Sequence, residues 1–169
     1  IVSGTLNASV CSDNAVNLLL NTAPGSVAAA SYNIVSRTVA AGLTPVTQAL
    51  APVNGVAANH LQNEVYRNTT NGSLTVQYVV EARGIINNCL GDQRTITITI
   101  DPEPVIATNL NASVCSDAIV GLVFNTNGTS VGALSYNIVS RTVTPSLVPV
   151  TEQPVANGVA ANYVQNDIY

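Results

Sequence analysis

The clearest pattern along the chain is an alternation with a period of two. In residues 73–82, SLTVQYVVEA, Leu74, Val76, Tyr78, Val80 and Ala82 fall on one face, with Thr75, Gln77 and Glu81 on the other. Successive side chains of a strand point to opposite faces, so this spacing predicts a strand with one buried side. Asn71-Gly72, just before it, is a turn signal. Residues 95–100, TITITI, repeat the alternation with Ile96, Ile98 and Ile100 inward and three threonines outward. Both segments are rich in β-branched residues, which suit a pleated surface. Weaker strand candidates cover residues 5–11, 15–20, 32–39 and 45–49. Turn residues separate them, among them Pro24-Gly25, Gly42, Asn54-Gly55, Asn87-Asn88 and Gly91-Asp92. About seven short strands at such spacing predict an all-β fold, an immunoglobulin-like two-sheet sandwich with Greek-key connections. Residues 57–65, AANHLQNEV, are the exception and predict a helical turn crossing from one sheet to the other.

The pattern occurs twice. NASVCSD at Asn7–Asp13 returns verbatim at Asn111–Asp117, and SYNIVSRTV at Ser31–Val39 returns verbatim at Ser135–Val143, both at an offset of 104 (7 to 111, 31 to 135). NGVAAN at Asn54 returns at Asn157, one residue short of that offset, and LQNEVY answers to VQNDIY, ending with Tyr66 and Tyr169. Identity over nine and seven residues at one offset is a duplication, and a unit of this length is a common size for a β-sandwich. The expected domains are 1–104, a complete sandwich whose linker is 101–104 (Asp-Pro-Glu-Pro), and 105–169, the first two thirds of a second one. Prolines hold such linkers extended. Counterparts of residues 67–100, which include both clear strands, are missing from the second unit. The expectation is that the polypeptide continues or that another chain supplies them.

Composition narrows the function. Only 8% of residues are charged, against roughly 25% in an average soluble domain, and Asn, Thr, Ser and Ala fill the polar surface instead. The five basic residues are all arginine, net charge is −4, and no basic cluster exists. Nucleic acid and anionic lipid are therefore not expected partners. No apolar run is long enough to span a membrane. The start at Ile1, without Met or a targeting segment, reads as a mature or excised piece.

Cys11 and Cys89 lie early and late in the first unit, and Cys115 is the repeat counterpart of Cys11. The expectation is a structural disulfide between Cys11 and Cys89, with Cys115 left unpaired by truncation. Closing so long a loop would contribute about 4–5 kcal/mol in the chain-entropy view and would imply an oxidising, extracytoplasmic compartment. The other reading is a pair of buried free thiols.

Candidate chemistry is sparse. The one histidine, His60, is replaced by Tyr163 in the second unit, which argues against catalysis. No G-x-S-x-G, H-E-x-x-H, P-loop or C-x-x-C occurs, and serine–histidine acyl transfer would need a histidine to act as base. Paired carboxylates could drive glycoside hydrolysis, but only Asp13/Asp117, Glu64/Asp167 and Gln48/Glu152 occupy equivalent slots. Asp13 and Asp117 read as turn caps after the cysteine rather than calcium ligands. No catalytic, cofactor-binding or metal-binding residue is assigned, and no cofactor is expected. Sequons stand at Asn7, Asn68, Asn71, Asn111 and Asn127. Without lysine, Lys–Asn isopeptide staples are excluded.

VCSD opening each unit, then SYNIVSRTV, NGVAAN, NNCLGD and ITITIDPEP, resemble the PKD-like repeats of very large Bacteroidota surface proteins. Such arrays are similar to gliding-motility adhesins and related type IX-secreted proteins. The resemblance implies a β-sandwich bead in a cell-surface, extracellular stalk or filament, and it carries no catalytic residue. Expected partners are neighbouring repeats, other protomers of a filament, and surface glycans or abiotic surfaces. The leading expectation is a stapled structural and adhesive spacer. The alternatives are a carbohydrate-binding accessory module of a secreted enzyme, and a filament subunit completed by a neighbour's strands through β-augmentation.

Overall fold

The computed structural model describes residues 1–4 and 6–169. It resolves into two compact units, Ile1–Glu103 and Pro104–Tyr169. Unit 1 is all-β among its described residues. Its strands are β1 (Ala8–Cys11), β2 (Ala29–Val39), β3 (Leu43–Thr47), β4 (Val53–Val56), β5 (Val65–Asn68), β6 (Leu74–Gly84) and β7 (Arg94–Asp101). They form a five-stranded sheet in the order β1-β7-β6-β2-β4 and a two-stranded sheet of β3 and β5. β1 runs parallel to β7, and the other neighbours are antiparallel.

The two alternating segments become the centre of the larger sheet. β6 and β7 pair from Leu74↔Ile100 through Val76↔Ile98 to Val80↔Arg94. Val76, Tyr78, Val80, Ile96, Ile98 and Ile100 are buried, and they pack with Tyr32 and Ile34 of β2, Leu43 of β3 and Tyr66 of β5. Residues of both sheets thus share one core. Burying one large aliphatic side chain contributes roughly 1.5–3 kcal/mol, so this cluster is the main source of cohesion.

Two strands were not legible in the pattern. β4 (VNGV) and β5 (VYRN) have four residues each and carry too few apolar positions to show a period. β4 is also irregular: its register against β2 shifts between Tyr32↔Val56 and Ile34↔Val53. Gly55 takes a positive φ of 71° there. Its N–H, turned off the ladder, bonds the side-chain oxygen of Asn33 at 2.9 Å. Gly42, between β2 and β3, is the other glycine the backbone requires. Its φ is 98°, and a Cβ there would meet Leu74 Cδ1 at 3.1 Å.

Residues 15–20 bury Val16, Leu18 and Leu20 as the alternation predicts, but they make no extended strand. Asn17 has a φ of 53°, and the N–H groups of Val16, Asn17 and Leu20 bond the carbonyls of Glu64, Gln62 and Ala58. That partner is no strand but a run of turns over residues 58–63, closed by bonds three residues apart, such as His60 N–H to Ala57 O. The helical turn expected at 57–65 is this run, not an α-helix. Of the strand expected at residues 5–11, Thr5 lies outside the described residues.

Unit 2 repeats the pairing points of unit 1 without its ladders. Its bridges are Ile106↔Thr126, Ile119↔Ile168, Tyr136↔Val159 and Thr151↔Ile168. Each falls at the repeat counterpart of a unit 1 pair: Val2↔Thr22, Ala15↔Val65, Tyr32↔Val56 and Thr47↔Val65. No strand is formed among its described residues. Residues 135–143 are identical to most of β2, yet nothing in unit 2 takes the place of β6 beside them. A strand's ladder is a property of the pair rather than of the sequence alone.

The expected Cys11–Cys89 disulfide is not formed. All three cysteines are free and exposed, so they are not buried thiols either. Cys11 pairs with Asp101 at the far end of β7, whereas the Cys89 carbonyl accepts from Gly84 N–H, before β7 begins. The length of β7, on the order of 20 Å at ~3.3 Å per residue, separates them, and a disulfide needs Cα atoms within about 7 Å. Alkylation of the native chain without reductant is expected to label all three thiols. Recovery of a Cys11–Cys89 linked peptide would show this part of the fold to be wrong.

Candidate functional site

The most elaborate polar arrangement in unit 1 is built around Glu64. The turn run of residues 58–63 places Leu61 fully inside the core and delivers Glu64, only 1% exposed, at the start of β5. A carboxylate taken out of water is costly unless partners saturate its lone pairs. Here they do. Oε1 accepts from Arg37 Nη1 at 3.2 Å and from the Ala49 N–H at 3.1 Å. Oε2 accepts from the Tyr66 hydroxyl at 2.8 Å and from the Tyr78 hydroxyl. The two hydroxyls lie 2.9 Å apart.

Arg37 is held in turn. Its Nη1 donates to Ala49 O at 2.8 Å and its Nη2 to Gln48 Oε1 at 3.0 Å. Gln48 Nε2 reaches the Tyr66 hydroxyl at 3.3 Å and closes the ring. β2, β3, β5 and β6 each contribute to or adjoin this cluster, so it ties the two sheets together. Burial pushes the Tyr78 hydroxyl pKa well above its ordinary value, with donation to Glu64 adding to the shift. Burial likewise raises Tyr66, and the negative charge of Glu64 beside it acts in the same direction.

Unit 2 rebuilds the arrangement. Asp167 occupies the Glu64 slot, is 2% exposed, and accepts from Arg141 Nη2 at 2.5 Å and from the Gln153 N–H at 3.0 Å. Arg141 also meets Glu152 at 2.6 Å and the Gln153 carbonyl. The equivalent slots noted in the sequence, Glu64/Asp167 and Gln48/Glu152, are therefore brought together in both units around one arginine, the second slot as a neutral amide in unit 1 and a carboxylate in unit 2. That arginine was missed as a site residue, although it stands inside the verbatim SYNIVSRTV of each copy. A carboxylate saturated by fixed donors and closed to water is poorly suited to act as a general base or nucleophile. The chemistry of the cluster is cohesion.

The remaining candidates are scattered. Asp13 sits in a turn with a φ of 60° and receives Arg67 Nε at 3.1 Å on both oxygens; Asp117 repeats the φ at 62°. Both lie in turns, but the Asp13 carboxylate is taken by Arg67 rather than capping a nearby backbone N–H. His60 Nε2 lies 3.0 Å from Leu50 O. Asp101, at the end of β7, accepts from Ser73 Oγ at 2.7 Å and Ser9 Oγ at 2.8 Å, which hold its carboxyl below the usual range. Among the described residues no group of three His, Cys, Asp or Glu side chains could hold a metal. Asn68 of the second sequon is fully buried, donating from Nδ2 to Gly72 O and Ile100 O. A hollow of about 350 Å³ beside the β6–β7 connection is lined by Ile1, Val27, Ala82, Ile86, Cys89 and Leu90. It lacks the convergent polar groups that orient a ligand.

No family model, curated protein or solved structure matches this chain. The site therefore stands on its own geometry.

Truncating Glu64 strands the Arg37 guanidinium and two buried hydroxyls. Glu64→Ala is expected to cost about 3–5 kcal/mol of unfolding free energy, and Tyr78→Phe about 1.5–3 kcal/mol, both read from denaturant melts. A loss below ~0.5 kcal/mol for Glu64→Ala would mean the cluster does not hold the sheets. In the unfolded chain both phenols ionise near about pH 10, while in the folded chain they stay protonated beyond it. Their contribution is therefore complete below that pH and declines as pH rises above it. Absorbance at 295 nm should show Tyr66 and Tyr78 ionising only as the fold is lost.

Proposed function

We propose that the chain is a structural and adhesive repeat module of a long extracellular surface protein or filament, of the PKD-like, immunoglobulin-like sandwich kind found in large Bacteroidota adhesins. The observation that carries this reading is the repetition of one bonding scheme at one spacing. Arg37–Glu64 becomes Arg141–Asp167, and the Gly55 N–H to Asn33 bond, at 2.9 Å, becomes Gly158 to Asn137 at 2.8 Å. A duplication that keeps interior supports and varies positions outside the core, with a half-buried Tyr163 where the half-buried His60 stood, is what selection for a scaffold produces. In tandem arrays each unit contributes its own stability plus neighbour terms.

With the disulfide withdrawn, stiffness in this reading comes from the Arg–carboxylate–tyrosine cluster and the core. The extracellular location now rests on the resemblance alone. On the unit 1 side, residues 101–103 are not free linker: Asp101 ends β7, and the Glu103 N–H bonds Asn68 O at 2.9 Å. The carbohydrate-binding alternative needs exposed rings for sugars to stack on, and none of the six tyrosines or the one phenylalanine is exposed.

Antibodies against the chain are expected to label intact, unpermeabilised cells that make it, and deleting the repeats should reduce their attachment to surfaces. Labelling only after permeabilisation, or unchanged attachment, would remove the surface-array reading.

A further inference from the structure

We propose that Asn71 is a site of spontaneous deamidation, and that the Asn33 and Asn137 side chains shield Asn54 and Asn157 from the same reaction. The sequence holds four Asn-Gly pairs, at 54–55, 71–72, 127–128 and 157–158. Glycine has no Cβ to hinder its nitrogen, so in each pair that nitrogen can close on the preceding side-chain amide. Exposure does not separate them: Asn54, Asn71 and Asn157 are all exposed, as are the glycines that follow. The state of the glycine N–H does. Gly55 N–H bonds Asn33 Oδ1 at 2.9 Å, and Gly158 N–H bonds Asn137 Oδ1 at 2.8 Å. Asn33 is itself only 2% exposed and is fixed by its own bond to Glu81 Oε1 at 2.8 Å. Gly72 N–H has only Thr70 Oγ1, at a weak 3.5 Å, and the Asn71 side chain makes no hydrogen bond among the described residues.

The chemistry needs only water and a solvent base. Gly72 nitrogen gives up its proton and attacks Asn71 Cγ. A new N–Cγ bond forms, the Cγ–Nδ2 bond breaks, and the amide nitrogen takes a proton from water and leaves as ammonia. Water then opens the cyclic imide. Breaking the new N–Cγ bond gives aspartate. Breaking the original peptide C–N bond gives isoaspartate, whose backbone is longer by a methylene. A glycine nitrogen whose proton is already committed to an amide oxygen must lose that bond before it can react, which is the protection at Gly55 and Gly158.

Asn127 is held in another way. Its Oδ1 accepts from the N–H groups of Thr129 and Ser130, at 3.2 and 2.8 Å, and from the Thr129 hydroxyl at 3.1 Å. Turning its amide carbon onto Gly128 nitrogen costs these bonds, so it lags Asn71. The Asn71 product falls at a stitched turn between β5 and β6, where Asn68 Nδ2 donates to Gly72 O at 2.9 Å and to Ile100 O at 2.8 Å. Isoaspartate lengthens the backbone that these bonds span, and either product adds a negative charge. The inference rests on these bonds and not on the surface-array reading, so either can fail without the other.

The test ages the full 169-residue chain at mildly alkaline pH. Because Asn71 also heads a sequon, the chain is made in a host that does not glycosylate. Cleavage after arginine puts the four asparagines on separate peptides, 38–67, 68–83, 95–141 and 142–169, and mass spectrometry with fragmentation follows the gain from amide to acid in each. In the folded chain Asn71 is expected to convert roughly tenfold faster than Asn54, since one hydrogen bond shifts an equilibrium by up to about tenfold. In urea the four should converge. Asn33→Ala should speed Asn54 several-fold and leave Asn71 unchanged, and Asn71→Gln should abolish the gain in 68–83. Amide hydrogen exchange of the unaltered chain needs no variant: Gly55 and Gly158 N–H should be protected, while Gly72 N–H exchanges freely. Four outcomes overturn the proposal: Asn71 intact in the folded chain after the urea-treated chain has reacted, another pair matching it in the folded chain, fast exchange at Gly55, or an unchanged Asn54 in a folded Asn33→Ala chain.

Discussion

A carboxylate with almost no exposure sits where the two sheets of unit 1 meet, and much of the fold is arranged to make that tolerable. Glu64 needs four donors, and they come from four places in the sequence: Arg37, the Ala49 backbone, Tyr66 and Tyr78. Each donor has to be delivered by an element held in register. β2 carries Arg37, the chain just past β3 offers Ala49, and β5 and β6 bring the tyrosines. A buried ion pair is often no more stabilising than a well-packed apolar replacement. Its distinctive effect is selective: a slipped register would leave a charge unpaired, so wrong arrangements are penalised more heavily than the right one is rewarded.

How much of this was readable depended on how each signal is written. β6 and β7 were plain, because strict alternation over six to ten residues has no competing period. β4 and β5 were not, since four residues holding Asn, Gly and Arg carry no pattern until a partner imposes one. Residues 15–20 alternate convincingly, yet the positive φ at Asn17 and bonding to a run of turns keep them out of any sheet. The carboxylate slots were visible as repeat equivalents, but their meaning was not. The arginine that unites them lies 27 residues from Glu64 in sequence, and only folding brings the two together. The cysteine pairing failed for a related reason: spacing says which residues are early and late, not which end of a sheet each occupies.

The duplication also acts as a control within one molecule. Nine identical residues form a strand laddered to β6, with one bulge at Val35, in unit 1 and a single bridge to Val159 in unit 2. Local propensity is the same in both, so the difference belongs to the neighbour. What persists in unit 2 is the part of the scheme that needs neither β6 nor β7: turn bonds, the arginine–carboxylate contact, and the Asn137 brace on Gly158. Cohesion that comes from β6 and β7 has no counterpart there, and many of the large aliphatic side chains of unit 2 are exposed, including Leu134, Val139 and Val148.

Asn68 shows what such economy means for production of the protein. Its amide is enclosed and fully engaged, donating to Gly72 and Ile100 and accepting from Thr70. The same residue heads an acceptor triplet for glycan transfer. In a host that glycosylates nascent chains, a sugar reaching Asn68 before β7 arrives could not be accommodated in the folded interior. Synthesis there becomes a race between strand closure and an enzyme, and yield would depend on which finishes first.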